Sequence, residues 1–171
     1  QQALIDALYS SGQLKLEYDT EMTRNAAQAF AARSGNCLSL VIMTASFAKE
    51  LGLAVGYQKV FVDDTWARTG DIYLSIGHVN LTLAPRKTDQ GGGGYRVGVK
   101  PHESDLTTVD FLPSADLRAL RTRAISEEII VAMFMNNRAV EALARNQTDN
   151  AYWWAREAVA RGERPLLRVP A

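Results

Sequence analysis

A chain of 171 residues, 47% of them hydrophobic, is long enough to bury one real core with at most a small appendage. Its 19 basic side chains balance its 19 acidic ones, so nothing supplies the basic face that nucleic-acid binding requires. A single cysteine excludes an internal disulfide, and no apolar run reaches the length of a membrane span, because Lys49-Glu50 and Asp63-Asp64 interrupt the longest.

The apolar spacing of residues 3–9 predicts a short helix, stopped by Ser10-Ser11-Gly12. Glu17-Tyr18-Asp19 reads as a polar link. Thr20, with Glu21 beside it, reads as the start of a helix whose face is Met22, Ala26, Ala29 and Phe30, running to about Arg33. The Gly35-Asn36 turn signal then precedes Cys37. Leu38, Val41, Ile42, Ala45, Phe47, Ala48 and Leu51 follow at helical spacing, which predicts a buried helix over residues 36–51 closed by Gly52.

The period then changes. Residues 55–62 are rich in β-branched and aromatic side chains and read as a strand. Residues 63–70 read as a turn-rich excursion, and residues 72–76 as a second strand or a connector. His78, Asn80 and Thr82 alternate with Val79, Leu81 and Leu83, which predicts a strand with the second set facing the core. Residues 85–94 form a hydrophilic tip ending in four glycines, with further strands at 95–99 and 106–111. From Pro113 the helical period returns. Ser114 opens a helix to about Arg123, Ser126 opens another to residue 145, and residues 150–161 form a third, stopped by Gly162 and Pro165. Helices first, strands next and helices last predict an α+β fold: N-terminal helices packed on an antiparallel sheet, then a C-terminal helical hairpin. The domain division that follows is residues 1–112, with residues 113–171 as a helical extension.

Chemistry concentrates at Cys37. In the first turn of a helix, the free N–H groups and the positive dipole end favour a thiolate over a thiol. The other reading of a lone cysteine is a small buried hydrophobe. A thiol nucleophile needs a base and a group to orient that base. Of the two histidines, His78 begins the alternating strand behind Gly77, where its ring stands at a sheet edge with little cover. His102 sits in the polar loop Lys100-Pro101-His102-Glu103-Ser104 and reads as solvated. Asp110, between Val109 and Phe111 at a strand end, is the candidate orienter; a cap or turn acid ahead of Pro113 is the alternative.

Gly35-Asn36-Cys37-Leu38-Ser39-Leu40, Ala48-Lys49-Glu50-Leu51-Gly52-Leu53, Gly77-His78-Val79 and Val109-Asp110-Phe111 together resemble the transglutaminase-like superfamily, most strongly over residues 33–84. The resemblance implies a papain-like core in which a cysteine at a helix N-terminus faces a histidine and an aspartate on neighbouring antiparallel strands. It implies Cys37 as nucleophile, His78 as base and Asp110 as orienter. The implied activity is acyl transfer on an amide bond through a thioester, as in a cysteine peptidase, an amidase or a transferase, with a protein or peptide as substrate and no cofactor. Two departures stand out: the stretch from His78 to Asp110 is longer than in compact members, and Asn80 stands where an aromatic residue is common.

The oxyanion of such a reaction needs donors. The Cys37 backbone N–H is the natural one, with Asn36, Gln28 or Asn25 as side-chain candidates. Trp66 reads either as lining the acyl cleft or as a loop tryptophan over the core edge. Asn137-Arg138-Ala139, Asn150-Ala151 and Ala158, with Tyr152-Trp153-Trp154, resemble a single tetratricopeptide repeat. The extension is then a lid on the catalytic unit, the start of a partner-binding array, or an ordinary hairpin. A binding module that keeps the fold without catalysis is the alternative function. Metal binding by Cys37 with the histidines matches no common spacing, and Asp63-Asp64 is too small a cluster for calcium. The chain begins at Gln1 rather than Met, which leaves room for an upstream export signal or lipid anchor and favours an exported, periplasmic or tethered protein of bacterial type.

Overall fold

Two long strands form the spine of the molecule, β3 (Ala54–Thr69) and β4 (Ile72–Ala84), paired antiparallel along most of their length. The computed structural model describes residues 2–9, 16–20, 22–69, 72–84, 106–111, 121–162 and 167–168; of these, Tyr9 and residues 62–69, 72–76 and 167–168 are described as backbone. The element order is α1 (Gln2–Tyr9), β1 (Glu17–Tyr18), α2 (Ala26–Ala32), β2 (Ser34–Gly35), α3 (Cys37–Glu50), β3, β4, β5 (Thr107–Val109), β6 (Arg121–Ile125), α4 (Glu127–Ala144), α5 (Thr148–Ala160) and β7 (Leu167–Arg168). The main sheet has the order β5-β4-β3-β6, all antiparallel, with β7 also paired to β4. Mixed helix and antiparallel sheet is in keeping with the α+β expectation.

The core lies between α3 and the sheet. Leu38, Leu40, Val41, Met43, Ala45 and Ala48 of α3 meet Tyr57, Val79, Leu81 and Leu83, and Val109 joins from β5. Each large apolar side chain withdrawn there contributes roughly 1.5–3 kcal/mol before entropy is charged against it. Leu4 and Leu8 of α1 and Ile130 and Met133 of α4 enter the same cluster. Residues beyond 112 are joined to the rest through the sheet, where β6 pairs with Tyr57–Phe61 of β3 and β7 with β4, and through α4, which contributes to the common core.

Several elements differ from the sequence reading. The second helix starts at Ala26, not near Thr20. Asn25 accepts from the Gln28 N–H and the Gln28 side chain returns to the Asn25 N–H, a capping box that fixes the start five residues later than Thr20. The polar link at Glu17-Tyr18 is a strand paired in parallel with Ser34-Gly35. Residues 63–69 continue β3 instead of leaving the sheet. Four residues, 61–64, stand between the Val60↔His78 and Thr65↔Ile76 pairs, opposite the single Gly77. The turn-like Asp63-Asp64 falls in that irregularity, after which Thr65 to Thr69 resume pairing with residues 72–76. Residues 121–123, read as a helix end, belong to β6: Thr122 and Ile125 favour a strand, and β3 offers a ladder that local periodicity cannot register. Ser126 caps α4 as expected, its Oγ accepting from the Ile129 N–H. The stop at residues 10–12, Glu21, the tip at 85–94, the strand at 95–99, His102, Ser114 and Pro165 lie outside the described residues.

α4 and α5 pack as a hairpin in which Ala139, Ala151 and Ala158 are buried. The two adjacent tryptophans divide. Trp154 meets Phe134 edge-on at 6.4 Å, whereas Trp153 is 55% exposed beside Tyr152. Among the described residues no helix is long and apolar enough to cross a membrane.

Candidate active site

Cys37 is the first residue of α3, as its sequence predicts, and it is partly buried. Asn36 is the N-cap: its Oδ1 accepts from the Ser39 N–H and the Ser39 hydroxyl, each at 2.9 Å. Gly35 lets the chain come close enough, because a Cβ there would stand 2.7 Å from the Ser39 Cβ. The loop ahead of Cys37 is braced from outside. Asn36 Nδ2 donates to Thr23 Oγ1 at 2.9 Å, and Asn137 Nδ2 of α4 donates to the same oxygen at 3.1 Å. The Thr23 N–H donates to Glu141 Oε1 of α4 at 2.6 Å.

His78 lies inside β4, between β3 and β5 in strand order, and is only 2% exposed; the expected edge position with little cover is not what forms. Its Nε2 meets both carboxylate oxygens of Asp110, at 2.8 and 3.0 Å. Asn80 Nδ2 adds a third contact to the carboxylate, donating to Oδ2 at 3.1 Å. The register explains the grouping. Leu81 pairs with Val109, so the next step sets Asn80 opposite Asp110, and His78 follows on the same face of β4. With Nε2 committed to Asp110, Nδ1 is the ring nitrogen left for Cys37. It is buried and no hydrogen-bond partner is placed on it among the described residues, while the nearby Cys37 helps to raise the ring pKa.

Burial alone would lower the His78 pKa, but hydrogen bonds to Asp110 and Cys37 and the charges of both outweigh it, and the ring is raised to about 9. The imidazole therefore carries its proton at neutral pH, beside a sulfur at a helix N-terminus.

Of the side chains considered as oxyanion donors, Asn36 is engaged at both ends, capping α3 through Oδ1 and holding Thr23 through Nδ2, while Asn25 and Gln28 cap α2 through their amide oxygens. Trp66 lies in β3 opposite Ser75 rather than in a loop, and its side chain is outside what is described. Tyr18, which the sequence did not signal, pairs with Gly35 just ahead of Cys37, and burial, then the charge of the neighbouring Cys37, raises its phenol pKa. Asn80 was visible only as a same-face neighbour of His78, and its partner depends on the β4–β5 register. Among the described residues, no group of three or more His, Cys, Asp or Glu side chains is placed to hold a metal ion. A concavity of about 270 Å³ lies elsewhere, between Ile42, Ala45 and Lys49 of α3, Tyr57 and the first turns of α4.

Comparison of the chain with protein-family models, with curated proteins and with solved structures gives no match.

Proposed function

We propose that this chain is a thiol-dependent acyl-transfer enzyme of transglutaminase-like character, acting on an amide bond through a thioester on Cys37. The observation that carries the reading is the buried His78 ring, gripped through Nε2 by both oxygens of Asp110 while Cys37 acts on the same ring. A cysteine serving only as core would not need a charged imidazole beside it, nor a partly buried carboxylate to hold that imidazole in place.

The steps follow from the groups present. The thiolate pair of Cys37 attacks the amide carbonyl carbon, and the carbonyl π pair moves to oxygen, where the Cys37 N–H donates to it. His78 gives its proton to the leaving amine as the C–N bond breaks and the thioester forms. Asp110 holds the ring and stabilises its charged form. Water or an amine then attacks the thioester, passes its proton to His78, and releases the thiolate. Water as acceptor makes the enzyme a peptidase or amidase; an amine makes it a transferase.

The test is Cys37 alkylation by iodoacetamide across pH, in the native protein and in His78→Ala. The reading expects fast alkylation at about pH 6, slowed at least about tenfold in the variant, with the variant needing a pH near 8.5, where an ordinary thiol ionises. Identical profiles, or a thiol inert until unfolding, would turn the assignment to a second reading. That reading is a non-catalytic module that binds a protein partner, favoured by the exposed Tyr152, Trp153 and Val159 of α5.

A further inference from the structure

β6 is the outer strand on one side of the main sheet, next to β3, and no further strand pairs with it among the described residues. Every second residue of such an edge turns its N–H and C=O outward, ready to pair with another chain. Side chains alternate between the two faces, yet Arg121, Thr122, Arg123 and Ala124 are all exposed, so both faces of this stretch are open. The register gathers charge on one of them. Arg123 stands directly opposite Lys59 and Arg121 directly opposite Phe61, which puts three cations on one face beside an aromatic residue that is 48% exposed. Arg24, Lys49, Arg138 and Arg161 each hold a carboxylate. Among the described residues Lys59, Arg121 and Arg123 hold none.

Like charges directly opposite each other on a sheet cost stability, and no ion pair among the described residues relieves Lys59 and Arg123. Edge charges also serve to keep other strands away. That role needs charge somewhere on the strand; it does not need Arg123 set against Lys59. A ligand that brings carboxylates to this face removes the repulsion. A strand laid along β6 places every second side chain on that face, at the spacing of Arg121 and Arg123, while its backbone takes up the open N–H and C=O groups. We propose that the outer edge of β6 binds an extended acidic segment of a partner protein, which joins the sheet as a further strand with alternate carboxylates facing Arg121 and Arg123 and Lys59 behind them. Guanidinium forks meet carboxylates in charge-assisted hydrogen bonds, the strong kind. The surface uses no residue of the Cys37 site, so the inference stands apart from the acyl-transfer reading.

The probe is a fluorescein-labelled peptide in which Glu and Val alternate, titrated with the whole chain and read by fluorescence anisotropy. Binding is expected, weakened by added salt, and at least about tenfold weaker when Arg121→Gln and Arg123→Gln are combined. A peptide of the same composition with its Glu residues in one block keeps the charge but cannot set every carboxylate on one face; it is expected to bind at least about tenfold more weakly. Two further peptides carry N-methyl groups on every Glu or on every Val, and the one whose methyl groups face β6 loses binding. If both methylated peptides bind like the parent, or the block peptide does, the patch collects anions without adding a strand and the proposal fails. Tighter binding of a single-stranded oligonucleotide of equal charge overturns it as well. If no peptide binds, the arginines only guard the edge, which also overturns it. The urea midpoint of Arg123→Gln separates lost binding from lost folding: removing the like-charge pair should leave it at or above wild type. A clear drop would make Arg123 a support of the fold and sink the argument from repulsion.

Discussion

Asn80 donates to Asp110 Oδ2 at 3.1 Å from the strand position two beyond His78, so the carboxylate that holds the imidazole is itself held by the same face of β4. Asn80 is 5% exposed, and Asp110 keeps its orientation through two β4 side chains rather than one. Replacing Asn80 by Ala removes one charge-assisted hydrogen bond, worth about 1.5–3 kcal/mol. Urea midpoints should register that loss, and Cys37 alkylation at about pH 6 should slow by about threefold to tenfold as the imidazole loosens. A variant that is destabilised but reacts at the wild-type rate would make Asn80 a packing residue only.

The His78 pair gives stability a definite pH dependence. The folded ring titrates at about 9, above its ordinary value of 6.5, so the native state holds the proton more tightly than the unfolded chain does. The stabilisation is complete below about pH 6.5 and is lost as pH rises through about 9, with a ceiling of about 3 kcal/mol. Asp110→Asn removes the main group that raises the ring. Its stability deficit against wild type should therefore be largest at about pH 6 and should close as pH passes about 9. Denaturant melts of both proteins across that range decide it; a deficit independent of pH would mean that His78 is not charged in the folded protein.

Thr23 ties the nucleophile helix to the C-terminal hairpin. Its hydroxyl, in a residue 2% exposed, accepts from Asn36 at the N-cap of α3 and from Asn137 on α4. Thr23→Val keeps the shape but leaves two amide groups without that acceptor, at about 1–3 kcal/mol each. Thr23→Ser restores the oxygen and should recover most of the loss. Alkylation of Cys37 should slow in the valine variant, because the cap that places the thiol is no longer held. Equal stability of the valine and wild-type proteins would show that the bridge contributes nothing.

What could be read from the chain, and what could not, divides by sequence distance. The Cys37 helix was legible because Gly35-Asn36 and the apolar run behind it are local signals, and the His78 strand because alternation is local too. The capping box at Asn25 and Gln28 is equally local, but Thr20 offered a competing start that only the folded chain rejects. Tyr18 was hidden because its strand is two residues long and its partner, Ser34-Gly35, lies beyond α2. The role of Asn80 needs the β4–β5 register, and that of Thr23 needs α4 to return to the loop before Cys37. The start of β6, Arg121 to Arg123, reads as a helix end because the helical period returns after Pro113; its strand character comes from pairing with β3. Pairings of this kind are long-range, and no short-range pattern encodes them.

Gly35 gives the sharpest steric test of how Cys37 is positioned. It pairs with Tyr18 on one side and passes over Ser39 on the other, where a Cβ would stand 2.7 Å from Ser39 Cβ and 3.4 Å from Ser39 Oγ. Ser39 cannot retreat freely: it is buried, its hydroxyl accepts from the Arg24 N–H at 2.8 Å, and it donates to Asn36 Oδ1. Gly35→Ala must therefore push β2 away from the first turn of α3, moving the Asn36 cap, the Cys37 N–H and the paired β1 strand together. Overpacking of this kind costs about 1–3 kcal/mol. A shift near 1 Å at the reacting groups can lower a rate about 100-fold, so acylation of Cys37 should suffer far more than the melting temperature does. Gly35→Ala combined with Ser39→Gly removes the clashing atoms and should recover part of the acylation rate at a cost in helix stability. If the single variant acylates at the wild-type rate, the close approach of β2 to α3 is not what sets the geometry at Cys37.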